Sequence, residues 1–132
     1  MTDVVVRPYR AGDAPALRRL AGETATGEQV PLPAPDRDVV FLAEVEGHAA
    51  GYMAVREEGR ALVVDRMVVA PADQGRHVGH RLLDWAEGYG SSRGMERVRI
   101  PATGSDRRAR DFYVRRGYVE AADALVRDIA HS

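Results

Sequence analysis

Hydrophobic positions recur along the chain with two different periods, and each change of period marks an element. Val4-Val5-Val6-Arg7 reads as a short strand that Pro8 stops. After Gly12, Asp13 is placed to cap a helix with Pro15 in its first turn. Ala14, Leu17, Leu20 and Ala21 return at helical spacing, and Gly22 ends the run. Residues 23–38 carry Pro31, Pro33 and Pro35 together with Glu23, Glu28, Asp36 and Asp38. Prolines at that density break a helix, so a long acidic loop is expected there, of the kind that often carries function. Residues 39–46, 50–57 and 60–69 read as three strands. Glu46-Gly47-His48 and Glu58-Gly59 supply the turns of an antiparallel meander, with His48 as an exposed turn residue.

Pro71 stops the third strand of the meander, and the period lengthens. Val78, Leu82, Ala86 and Tyr89 share one helical face, with Leu83 and Trp85 beside it. This helix is expected to fray near Gly88 and Gly90 and to end by Gly94. A short strand follows at 98–101. Ala109, Phe112 and Tyr113 line one face of a second helix over 106–116, stopped by Gly117. Residues 118–121 and 125–130 close the chain as a hairpin around Ala122-Asp123. The order β-α-(loop)-β-β-β-α-β-α-β-β has no repeat and no linker. It predicts one α+β domain over 1–132, a mixed, mostly antiparallel sheet flanked by helices.

Composition narrows the function classes. At 132 residues and 45% hydrophobic, the chain can bury a core without staples. The absence of cysteine excludes disulfides, thiolate metal sites and a cysteine nucleophile. A net charge of -1 argues against nucleic acid as a partner. Met1-Thr2-Asp3 has no basic character, and no apolar run reaches the ~18 residues of a bilayer span. A cytoplasmic protein with no membrane partner is expected. All 19 basic residues are arginine, and the apolar set holds 20 Ala and 17 Val against two Ile, the signature of a G+C-rich coding sequence. Without lysine, a lysine base and a Schiff base are both excluded.

The segment with most chemical content joins the meander to the long helix: a strand, Pro71, a short loop with Gly75 and Gly79, and a helix that starts at once. The first amides of a helix lack intrahelical acceptors and sit at the positive end of its dipole, which suits phosphate. Arg76 adds a charge. No GK[ST] follows, so this is not a Walker loop, and no βαβ unit with GxGxxG surrounds it.

Taken whole, the stretch resembles the signature of the GNAT superfamily of N-acetyltransferases, in which a strand and a proline precede [Gln/Arg]-x-x-Gly-x-[Gly/Ala] at a helix start. Gln74-Gly75-Arg76-His77-Val78-Gly79 stands there in this chain. Late in the sequence, Asp106-Arg107-Arg108-Ala109-Arg110-Asp111-Phe112-Tyr113-Val114-Arg115-Arg116-Gly117-Tyr118 is similar to the family's Asn-x-x-Ala-x-x-Phe-Tyr-x-x-x-Gly-Phe. The order of elements is the family's too. His77 replaces the first loop glycine, a change that suits the backbone only if the position is left-handed. Asp106 replaces the asparagine that contacts the pantetheine arm.

The resemblance implies acetyl transfer from acetyl-coenzyme A to a small-molecule or protein amine, by direct attack in a ternary complex. It implies that the pyrophosphate sits on the amides of Gly75, Arg76, His77, Val78, Gly79 and His80, with Gln74 and Asp106 in the same binding set. The pantetheine would pair with Met67, Val68 and Val69 as an added strand, where an amide stabilises the oxyanion. Tyr113 occupies the family position of the general acid, and its ordinary pKa near 10 keeps it protonated. A carboxylate must help deprotonate the amine. Asp65, which alternation puts on the face of Val63 and Met67, is the first candidate, with Glu44, Glu57, Glu23 and Glu28 open. Pro101 takes the place where some relatives carry a glutamate. The arginines at 107, 108, 110, 115 and 116 read as a solvated helix face, or as a contact for a nucleotide phosphate. The alternative is a catalytically silent GNAT-like domain that binds coenzyme A or a protein partner. A third reading, RNA binding by the arginine-rich helix, lacks a positive excess and an aromatic-basic stripe. A homodimer fits the resemblance, and no residue demands one.

Overall fold

The computed structural model describes residues 3–22, 39–73, 77–101, 107–122 and 124–129. Its strands are β1 (Val4–Pro8), β2 (Val39–Val45), β3 (His48–Glu58), β4 (Ala61–Val69), β5 (Arg97–Pro101), β6 (Val119–Ala121) and β7 (Ala124–Asp128). The helices are α1 (Ala14–Gly22), α2 (Val78–Ser92) and α3 (Arg107–Arg115). The strands form one sheet in the order β1-β2-β3-β4-β5-β7-β6. Pairing is antiparallel for β1 with β2, β2 with β3, β5 with β7 and β6 with β7, and parallel for β4 with β5. This is the mixed, mostly antiparallel α+β architecture that the periods predict. The expected loop over 23–38, with Glu23 and Glu28, lies outside the described residues.

Each hairpin turn follows from its residues. Glu46 (φ 51°) and Gly47 (φ 83°) both lie in the left-handed region, as a type I′ turn requires, and Val45 faces His48 across it. Gly59 alone is positive (φ 61°) in the next turn, the type II′ pattern with glycine first.

Pro8 stops β1 as expected, as its last residue opposite Phe41, on an outer strand where a missing N–H costs no ladder bond. Two local expectations change. Asp13 does not cap α1. It closes a 3₁₀ turn, Ala11–Asp13, that leads into the helix, and its carboxylate reaches back to the Arg10 amide at 2.7 Å. The Arg7 guanidinium grips the same carboxylate at 2.8 Å and holds it down to about 2. Nor does α2 fray at its glycines. It runs to Ser92 and ends in a Schellman cap, with Gly94 left-handed (φ 77°) and the Met95 amide on the Gly90 carbonyl at 2.9 Å. Gly90 is where the helix must lie close to its neighbours, because a Cβ there would meet Ile129 Cδ1 at 3.0 Å and Leu62 Cδ2 at 3.4 Å.

The chain divides into two compact units. The first, Met1–Val55 with Arg66–Trp85, has a core of Leu17, Leu20 and Ala21 from α1 on Val40, Leu42, Tyr52, Ala54, Val68 and Ala70. Leu20 and Leu42 are 0% exposed, and burying each contributes roughly 2 kcal/mol. The second, Arg56–Asp65 with Ala86–Ser132, is held around Glu87 of α2. Its carboxylate accepts from the Tyr118 hydroxyl at 2.9 Å and from Arg127 at 3.1 Å, with Arg116 at 3.4 Å.

Candidate functional site

In the first unit, the end of β4 leads through Pro71 into α2. The Ala70 amide donates to the Ala50 carbonyl at 2.8 Å. Asp65, Arg66 and Met67 are all half-buried, where strict alternation would bury every second one. Among the described residues, the pairing of β4 with β5 covers Ala61, Leu62 and Val63 only. The backbone of Met67, Val68 and Val69 lies beyond it. Gly51 of β3 packs against this stretch, where a Cβ would fall 2.6 Å from the Val68 carbonyl oxygen and 3.2 Å from Val78 Cγ1.

After β4, a 3₁₀ turn (Pro71–Asp73) buries the Asp73 carboxylate, which is 4% exposed and lies 3.0 Å from His48 Nε2. His48 is therefore not a plain turn residue. It opens β3 and braces the start of the loop. Gln74, Gly75 and Arg76 lie outside the described residues. His77 is left-handed at φ 64°, which meets the condition that its replacement of glycine imposed. Its carbonyl accepts the Arg81 amide at 3.0 Å and so starts α2. The amides of Val78, Gly79 and His80 thus form the first turn, where helix geometry supplies no intrahelical acceptor. The His77 and His80 rings lie 5.6 Å apart at this positive pole.

Tyr113 belongs to the second unit, on the last turn of α3. It is 7% exposed, and burial pushes its phenol up to about 12. A Schellman cap fixes it: Gly117 is left-handed at φ 94°, and the Tyr118 amide bonds the Tyr113 carbonyl at 3.1 Å. The Tyr118 and Phe112 rings pack edge-on at 5.9 and 5.3 Å. Asp106 lies outside the described residues.

The candidate bases that are described all hold arginines. Asp65 accepts from Arg56 Nε at 2.9 Å, Glu44 from Arg7 at 2.7 Å and Glu57 from Arg93 at 3.1 Å. The basic helix is also partly neutralised, since Arg110 pairs with Glu120 and Arg116 with Glu87. Among the described residues no group of histidines and carboxylates is placed to hold a metal ion, and no helix is long and apolar enough to cross a membrane.

The sequence profile of the acetyltransferase (GNAT) domain matches residues 36–120. The chain belongs to the GNAT family of acetyltransferases. Comparison with curated proteins gives no match. Among solved structures, this GNAT chain is similar to the ribosomal-protein-S18-alanine N-acetyltransferase from Escherichia coli. That pair shares 16% identity at TM-score 0.79, over 98% of this chain and 96% of that one. It is also similar to the PaiA N-acetyltransferase from Thermoplasma acidophilum in complex with coenzyme A, at 12% identity and TM-score 0.76, covering 94% and 96%. Nourseothricin acetyltransferase shares 26% identity at TM-score 0.72, covering 93% and 95%.

Within this GNAT domain, the first unit brings Met67, Val68 and Val69 into the same compact body as His77, Val78, Gly79 and His80. Tyr113 and Asp65 belong to the second. Sequence reasoning missed Gly51, Tyr52 and Arg66. Gly51 carried a signal, because an isolated glycine inside a strand pattern marks a close backbone approach.

Proposed function

We propose that this protein transfers the acetyl group of acetyl-coenzyme A to an amine, as a single cytoplasmic domain over residues 1–132. The observation that carries this reading is the left-handed His77 at the start of α2, which follows a β4 whose Met67–Val69 stretch lies, among the described residues, beyond the pairing with β5. Those features fit the two parts of the donor. The α2 amides, with Gln74, Gly75 and Arg76 before them, take the pyrophosphate. Met67, Val68 and Val69 offer backbone groups to the pantetheine arm, Asp106 is assigned to the same arm, and one amide polarises the acetyl carbonyl. When bound, acetyl-coenzyme A supplies an activated thioester.

Tyr113 keeps its proton at neutral pH, since burial raises its phenol to about 12. Giving that proton outright to a thiolate with an ordinary pKa near 8.5 would be uphill by roughly 5 kcal/mol. Tyr113 therefore donates to sulfur as the C–S bond breaks and regains a proton shed by the nitrogen that has formed the C–N bond. Asp65 is assigned the removal of a proton from the acceptor ammonium, with Arg56 orienting the carboxylate. The acceptor is a small-molecule or protein amine, and a homodimer is compatible with the assignment.

Release of free thiol on mixing the protein with acetyl-coenzyme A and a panel of primary amines tests the reading. With an accepted amine, Tyr113→Phe is expected to slow release about 100-fold. Asp65→Asn is expected to slow it at pH 7 and to recover toward pH 10, where the amine loses its proton unaided. An unchanged rate in Tyr113→Phe removes the acid, and an unchanged pH profile in Asp65→Asn leaves Asp65 as a strut for Arg56.

A further inference from the structure

Tyr52 of β3 and Arg66 of β4 stand on neighbouring strands of the first unit, and nothing above uses either polar group. Tyr52 is 0% exposed within the core beneath α1, and its hydroxyl is a buried polar atom with no hydrogen-bond partner among the described residues. A buried hydroxyl left unsatisfied is destabilising, and so calls for an acceptor that none of the described residues supplies. Arg66 is half-buried on β4, and among the described residues no carboxylate pairs with it. By contrast Arg7, Arg56, Arg93, Arg116 and Arg127 each hold one. Their places on the neighbouring strands β3 and β4 bring the two groups near each other, and in keeping with this the Arg66 guanidinium pulls the Tyr52 phenol down while burial pushes it up.

We propose that Arg66 and Tyr52 bind a carboxylate carried by the amine acceptor, which makes that acceptor an amino-acid-like amine. A guanidinium and a phenolic O–H together offer donors for an oxyanion. The charge count selects a carboxylate over a phosphate, because one half-buried guanidinium balances one negative charge and a phosphate dianion would keep the other uncompensated. Position supplies the link to chemistry. Arg66 immediately precedes Met67 on β4, and strand residues rise only about 3.3 Å each. An anion held there lies within one side chain's reach of the strand edge assigned to the thioester. The word acceptor rests on the acetyl-transfer reading, whereas the anion site stands without it.

Two arms separate these. In the first, sodium acetate is titrated into the protein while the Tyr52 ring resonances, assigned by their loss in Tyr52→Phe, are followed by NMR, with acetamide as the neutral control. A saturable shift with acetate, none with acetamide and none with acetate in Arg66→Gln is expected. No shift in the wild type, or an equal shift in Arg66→Gln, overturns the site. In the second arm, thiol release is compared between amino acids and their carboxamides. The carboxylate forms are expected to be favoured about tenfold or more in kcat/KM, mainly through KM. Arg66→Gln should abolish that preference, Arg66→Lys should restore part of it, and acetyl-coenzyme A affinity should not change. Equal use of both forms by an active enzyme overturns the acceptor assignment. If no amine reacts, the acetyl-transfer reading is at fault, and the first arm still decides the anion site.

Discussion

Tyr113 shows how a single residue joins stability to chemistry. Its phenol sits at about 12 in the fold against an ordinary 10.0. The unfolded chain therefore releases that proton near pH 10 while the folded protein keeps it. The stabilisation is complete below pH 10 and is lost as pH rises to 12, amounting to roughly 3 kcal/mol. Urea unfolding in that window is expected to show a steep loss for the wild type and a flatter one for Tyr113→Phe, and equal slopes would contradict the burial argument. The Phe-Tyr context made this residue legible in the sequence, because burial of an aromatic helix face follows from spacing. His77 was legible only as a condition on φ, which the fold meets at 64°. The partner of Asp65 was not legible. Alternation reports neighbours along a strand, while Arg56 lies across the hairpin.

Among the described residues, pattern reading found each α-helix and strand but not the 3₁₀ turns, and it failed where glycine answers to packing. Gly90 looked like a weak point of a helix, yet it is the residue that lets α2 pass Ile129 and Leu62. Gly51 plays the same part for β3 and β4. Its missing side chain leaves room for the Val68 carbonyl, which backbone displacement alone could clear. Gly51→Ala is expected to cost about 1–3 kcal/mol and to raise the KM for acetyl-coenzyme A by moving Val68. Gly88→Ala, where a Cβ would meet nothing within 4 Å, should instead gain roughly 0.5–1 kcal/mol. Thermal melts of the two variants check this directly, and a Gly51→Ala protein as stable as the wild type would refute the close approach. The Glu87 cluster acts at the same scale by tying α2 to Tyr118 and to Arg127 of β7. Glu87→Ala leaves the largely buried Arg116 and the Tyr118 hydroxyl without that acceptor, and a loss of about 2–4 kcal/mol in urea unfolding is expected. A loss under 1 kcal/mol would show the cluster to be a surface feature.

Across the whole molecule, the succession of elements was readable because each period is local. The sheet order β5-β7-β6 was not, since pairing between distant strands depends on contacts that no window of sequence contains. The candidate site was readable to the same degree. The strand, proline and glycine-bearing helix start point to the anion-binding loop proposed above, while the stretch of β4 beyond its described pairing with β5, and the placing of Tyr52 and Arg66 on neighbouring strands, exist only once strands lie side by side. The arginine-only composition acquires a meaning at this scale as well: a thioester held by this chain meets no side-chain amine to acylate. Everything rests on binding of the donor by the β4 edge and the start of α2. Calorimetric titration of acetyl-coenzyme A into the wild-type protein and into His77→Gly measures that binding directly. Saturable binding to one site is expected in both, as strong or stronger in the variant, which relieves the left-handed backbone at residue 77. The absence of saturable heat in both proteins would contradict the account.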